Sequence, residues 1–188
     1  YTGHVHYLGF EDARGGGHFS GRLTAVMVAA GALCMCMLKE RGIAIGTHIA
    51  SLHGICDRKW NEADLDQEIA LLNNRRFAVL DETKEEGMVQ EIEKARMDLD
   101  SVGGILETAV VHLPSGLGDP EFDSLESMIA HAMFSIPAVK GIQFGKGFDF
   151  AEMRGSEAND PFEMKNGRVT TVTNNNGGIN GGITNGMP

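Results

Sequence analysis

From Leu23 to Leu38 the chain is almost continuously apolar, and this run is entered through a glycine triplet at Gly15-Gly16-Gly17. A run of that length falls short of the roughly 20 residues of a comfortable membrane span. A helix is therefore expected. Ser20 is placed to cap it, Lys39 and Arg41 complement the negative end of its dipole, and Gly42 can supply a left-handed exit. Ala25, Val28, Ala29, Ala32, Leu33, Met35, Cys36 and Met37 leave no polar stripe. That pattern predicts a central helix buried on several sides.

The remaining elements follow from periodicity. Ile43, Ile45, Thr47 and Ile49 alternate as in a strand, residues 56–80 read as loop with a short helix, and 82–99 reads as a helix with an acidic outer face. Residues 104–113 alternate again and end at the turn Pro114-Ser115-Gly116. Asp123 is expected to cap a helix reaching Met133, and Ile136–Phe144 is expected to be a strand. Beyond Gly145 the sequence reads as loops. A length of 188 residues, with 42% hydrophobic and 22% charged, suits one domain with one core, burying about 70% of the unfolded surface.

A net charge of −10 opposes binding to the nucleic-acid backbone, because the basic residues are scattered along the chain. No nucleic-acid or membrane partner is expected. Cys34, Cys36 and Cys56 give neither an even disulfide set nor a metal-ligand spacing, which favours a reducing, cytoplasmic location. The chain starts at Tyr1 without an initiator Met and stops at Pro188 after a glycine-rich run, as expected of a section cut from a longer chain.

Two glycine-rich bends are candidates for chemistry. Arg14-Gly15-Gly16-Gly17-His18-Phe19-Ser20-Gly21-Arg22 joins free backbone N–H groups at a helix start to two arginines, which suits a phosphate or another anion. The plainer reading is a glycine turn with a capped helix. No Gly-Lys-Ser or Gly-Lys-Thr follows, which excludes a nucleotide-hydrolase phosphate loop. In the second bend, glycines 177, 178, 181, 182 and 186 could admit a flat ring against bare backbone; otherwise the stretch is a mobile loop. His4 and His6 alternate as on a strand but lack partners for a metal, so no metal site is expected. His18, inside the first bend, is the histidine best placed to meet a ligand.

The run Gly17-His18-Phe19-Ser20-Gly21-Arg22-Leu23-Thr24, followed by Val28 and Gly31-Ala32-Leu33, resembles the central signature of chorismate synthase. The resemblance continues, in the family's order, through 100–104, 114–120, 135–141, 155–160 and 176–183, and so covers nearly all of residues 1–188 as one section of a catalytic domain. It implies an α+β fold, with buried helices packed on antiparallel sheet, forming about half of a larger β-α-β sandwich. The implied reaction is anti-1,4 elimination of phosphate from 5-enolpyruvylshikimate 3-phosphate on reduced FMN, giving chorismate in aromatic amino acid biosynthesis. NADPH enters only as a flavin reductant, and the complete subunits of the family form homotetramers. Position by position, the resemblance implies FMN contact at His18, Phe19, Ser20, Pro137, Ala138 and Gly181, with Asn174 beside the flavin loop and Arg22 anchoring substrate. His18 stands where other members carry arginine. The family's catalytic histidine and aspartate motifs match nothing here, and Asn159-Asp160-Pro161 is not the latter, so this section is expected to be inactive alone. A competing reading is a non-catalytic anion- or nucleotide-binding module built on the two bends, and a third is a domain whose loops hold nothing. The flavin reading expects Ser20 and Gly181 to face one cleft.

Overall fold

A computed structural model describes all 188 residues and shows an α+β chain. It opens with a short helix α1 (Thr2–His6), then a tight glycine turn (Arg14–Phe19), and a 3-10 turn (Gly21–Leu23) that runs into α2 (Thr24–Lys39). His4 and His6 thus lie on a helix rather than a strand, and His4 Nδ1 pairs with Glu11 Oε1 at 2.8 Å.

The central sheet holds β1 (Ala44–Leu52), β2 (Ile55–Cys56) and β3 (Gly104–Val111), antiparallel in the order β2-β1-β3. The β1-β2 connection is His53-Gly54, both with positive φ (44° and 85°), as a two-residue hairpin turn of matching twist requires. Two helices lie between β2 and β3: α3 (Leu65–Leu72) and α4 (Glu85–Met97). Asp81 starts the turn before α4 by accepting from Thr83 N at 3.0 Å. α3 lays Leu65 and Ile69 on the sheet beside Val111, with Ala44, Trp60 and Ala109 packed around them. The approach is close: a Cβ on Gly46 would stand 2.8 Å from Ile69 Cγ1.

After β3 come α5 (Leu125–Met133), α6 (Gly155–Ala158), the hairpin β4 (Phe162–Lys165) with β5 (Arg168–Thr171), and the small hairpin β6 (Ile179–Asn180) with β7 (Ile183–Thr184). Three expectations change here. Ser124, not Asp123, caps α5, its Oγ accepting from Ser127 N at 3.1 Å, because Asp123 ends a separate 3-10 turn. Residues 136–144 form no strand: Pro137 has no N–H to give a ladder, and Ala138 sits at φ 68°. The region past Gly145 is not all loop, since Asn166-Gly167 (φ 52° and 75°) closes a regular hairpin.

The largest departure concerns α2. The helix forms where expected but buries none of its residues, with Val26, Val28, Leu33 and Met37 each more than 60% exposed. No element among these residues covers it, although its base touches β1. The helical run Gly21–Lys39 is 19 residues, lengthened by the 3-10 turn, and is long and apolar enough to cross a membrane. A core helix of a soluble protein meets the same criteria. In all, the chain exposes 13767 Å², against roughly 8,800 Å² for a compact monomer of its mass. It therefore buries only about half of its unfolded surface, less than the expected share.

Candidate functional site

The first bend is built by its glycines. Gly15, Gly16 and Gly17 all have positive φ (60°, 81° and 52°), and a Cβ on Gly17 would lie 2.2 Å from Asp12 O. No other residue fits at position 17 without moving the backbone. The two arginines then part ways. Arg14 forms a two-pronged pair with Asp12, Nε to Oδ1 and Nη2 to Oδ2 both at 2.9 Å, and its backbone N–H adds a third bond. These bonds, the guanidinium's first, hold the Asp12 carboxyl below its ordinary range. Arg22 has no carboxylate partner, and its guanidinium lies beside Gly15. Ser20 Oγ accepts from Arg22 N at 3.3 Å, which fixes the start of the helical run. His18 and Phe19 stay open to solvent, each near the ring of Tyr7.

The second bend is held on both arms. Segment 114–118 clamps its far arm: Gly116 N donates to Thr184 O at 2.8 Å, Thr184 N to Leu117 O at 2.9 Å, and Thr184 Oγ1 to Pro114 O at 2.7 Å. Gly182 is buried against Asp119 and Ser124, and its carbonyl accepts from Leu125 N at 2.9 Å. Its neighbour Gly181 is the opposite case, exposed, at φ 61°, with nothing beyond its own chain neighbours within 4 Å of where a Cβ would stand. Bare backbone is thus presented at Gly181 on a rigid support. Asn174 spans the near arm, its Oδ1 accepting from Gly178 N at 2.9 Å. An open groove of about 680 Å³ runs beside the bend, lined by Ser115, Phe162, Arg168 and Thr184 among others.

The residue that sequence reasoning passed over is Asp160. It is 3% exposed, and its carboxylate accepts four bonds from the bend: Thr173 Oγ1 at 2.6 Å, Asn175 N at 2.8 Å, Asn176 N at 2.8 Å and Asn176 Nδ2 at 2.7 Å. Burial alone would raise its pKa, but the bonds from Thr173, Asn176 and Asn175 outweigh burial and hold it below the ordinary value. The signal available in sequence was an acid in a turn cluster ahead of Pro161. Nothing local says that its partners lie 13 to 16 residues further on.

Pro137 and Ala138 sit in an exposed turn between α5 and the next glycine segment. Hydrogen bonds and ion pairs fall into three separate networks, 1–43, 44–112 and 113–188. The first bend belongs to one and the second bend, with Pro137 and Ala138, to another, and no hydrogen bond or ion pair joins them.

The chorismate synthase family model matches residues 1–188. Chorismate synthases of Thermococcus gammatolerans and Pyrococcus abyssi are 47% and 48% identical to this chain over its whole length, which corresponds to 51% of theirs. A crystal structure of chorismate synthase superposes with TM-score 0.86 at 31% identity, over 98% of this chain and 58% of that one. The chain therefore spans about half the length of the curated relatives it matches. Both bends and the motifs that brace them lie inside that shared region, and the chain belongs to the chorismate synthase family.

Proposed function

We propose that the protein carrying this chain is a carbon–oxygen lyase that removes phosphate from 5-enolpyruvylshikimate 3-phosphate in an anti-1,4 elimination, and that these residues form part of its flavin and substrate sites. The observation that carries this reading is the contrast between the two arginines of the first bend, Arg14 neutralised by Asp12 and Arg22 left free for an anion. The exposed backbone of Gly181 fits a flat ring that a Cβ would obstruct. FMN contact is assigned to His18, Phe19, Ser20, Pro137, Ala138 and Gly181, with Asn174 shaping the loop.

When bound, reduced FMN lends electron density as the carbon–oxygen bond breaks. Arg22 holds the anionic substrate and counters charge on the departing phosphate. A proton leaves one carbon as phosphate leaves another, so the step balances with no net oxidation. Groups outside these residues supply the acid and base, so the 188 residues alone are expected to be inactive. NADPH serves only to regenerate reduced flavin, and a cytoplasmic homotetramer goes with this reading.

The test is anaerobic assay of the intact protein with reduced FMN and 5-enolpyruvylshikimate 3-phosphate, following phosphate release and chorismate absorbance. Arg22→Ala is expected to lower kcat/KM by about 100-fold. Perturbation of bound flavin by unrelated nucleotides, without turnover of this substrate, would instead favour a non-catalytic nucleotide-binding module.

A further inference from the structure

We propose that Asp160 is a positioning residue for the flavin loop, setting the path of residues 173–182 so that Gly181 presents its backbone to the ring. The inference rests on the flavin reading above and goes beyond it, because that reading gives Asp160 no role.

Both carboxylate oxygens are fully used. Oδ1 takes Thr173 Oγ1 and Asn175 N, while Oδ2 takes Asn176 N and Asn176 Nδ2. A carboxylate has about four acceptor sites, and here all four serve one short segment. Two further bonds lock that segment to the helix before Asp160, as Asn175 Nδ2 donates to Glu157 O at 3.1 Å and Ala158 O at 3.3 Å. The Asn175 carbonyl accepts from Lys146 N at 2.7 Å, and a Cβ on Gly145 would stand 2.0 Å from it. No slack remains on this side of the bend.

The constraint passes along the chain by short steps. Ile179 N donates to Asn176 O, Asn185 N donates to Gly178 O at 2.9 Å, and Asn185 Nδ2 donates to Asn180 Oδ1 at 2.7 Å. Gly181 follows directly, with Gly182 wedged against Asp119 and Ser124. Asp160 fixes the near arm, and residues 114–125 fix the far one. Gly181 is the tip between two anchored arms.

Asn at position 160 keeps the shape but turns an NH₂ group toward donors, so one pair of bonds is lost and donors face each other. In the intact protein, FMN binding followed by flavin fluorescence should show Asp160→Asn raising Kd by about tenfold, with one FMN per subunit still reached at saturation. The bound flavin's absorbance band should also shift relative to the unmodified protein. Glu163→Gln, in the adjacent hairpin, should bind as the unmodified protein does. A Kd within about twofold, or fewer sites at unchanged Kd, would overturn the proposal by showing no effect or mere loss of folded protein.

If Asp160→Asn does not fold, Thr173→Val removes only the hydroxyl that Thr173 shares between Asp160 Oδ1 and the more distant Asn159 O, and should raise Kd about threefold; no change sinks the idea. Amide hydrogen exchange without ligand separates this proposal from the reading it rests on. Faster exchange at 176–182 in Asp160→Asn, with α3 unchanged, supports the anchor even where the unmodified protein fails to bind FMN, an outcome that would defeat only the flavin reading. Unchanged exchange at 176–182 overturns the anchor whatever FMN does.

Discussion

His48 is 1% exposed yet fully bonded, with Nδ1 2.7 Å from Asp57 Oδ2, Nε2 3.0 Å from Glu107 Oε2, and the Trp60 ring edge-on at 5.1 Å. Burial pulls the imidazole down, but the bonds to Glu107 and Asp57 and their negative charges outweigh it and raise the pKa above 6.5. Burial likewise pushes Asp57 up, while backbone N–H groups of Leu80 and Asp81, and His48 itself, hold it below 3.8. The signs then run in opposite directions. The raised His48 stabilises fully below 6.5 and loses that contribution as pH climbs through its folded value, whereas the lowered Asp57 stabilises above 3.8 and loses it as pH falls. This network is therefore strongest between 3.8 and 6.5. Urea midpoints should drop between pH 6 and pH 8, and Glu107→Gln should flatten that drop; an equally steep drop in the variant contradicts the pairing. Asp57→Asn should cost about 1–3 kcal/mol at pH 6, because the amide keeps one oxygen and turns its NH₂ toward the N–H of either Leu80 or Asp81, which then loses its acceptor. Neither this network nor the Asp160 anchor could be read from sequence, since His48 and Glu107 stand 59 positions apart. An isolated acid or imidazole in a string looks the same whether paired or free.

Elements were legible where a local rule dictated them. β1 and β3 show plain alternation and form strands as expected, and the structure pairs them antiparallel with one irregularity between Ile49 and Ser51. The hairpin at Asn166-Gly167 had an equally local signal that a reading of the region as loop overlooked. Residues 136–144 misled in the other direction, because apolar alternation says nothing of the missing N–H at Pro137 or the left-handed turn at Ala138. Close packing between elements was invisible until partners were known. Gly46 illustrates it: Gly46→Ala should push β1 off Ile69 and destabilise the sheet by about 1–3 kcal/mol. Denaturant unfolding of that variant should show a lower midpoint, and an unchanged one would mean that α3 shifts freely.

For the whole molecule, surface is the deciding quantity. Apolar periodicity says which residues want cover but not whether the same stretch of chain provides it, which is why α2 was legible as a helix and its burial was not. Exposed Val26, Leu33 and Met37 recur at helical spacing on one face of α2, with Val28 exposed on the other, leaving apolar surface of the kind that drives association. The 188 residues expressed alone should bind a hydrophobic dye and elute above monomer mass in light scattering. Leu33→Lys with Met37→Lys should reduce both signals, and persistence of both would shift the cause to another surface.

The three hydrogen-bond networks are tied to one another only by packing and covalent chain. A cofactor gripping both glycine bends would act as a rivet as well as a reagent, adding RT ln(1 + [L]/Kd) to cohesion between parts that no hydrogen bond joins. Depleting it would then loosen the seams before any strand melts.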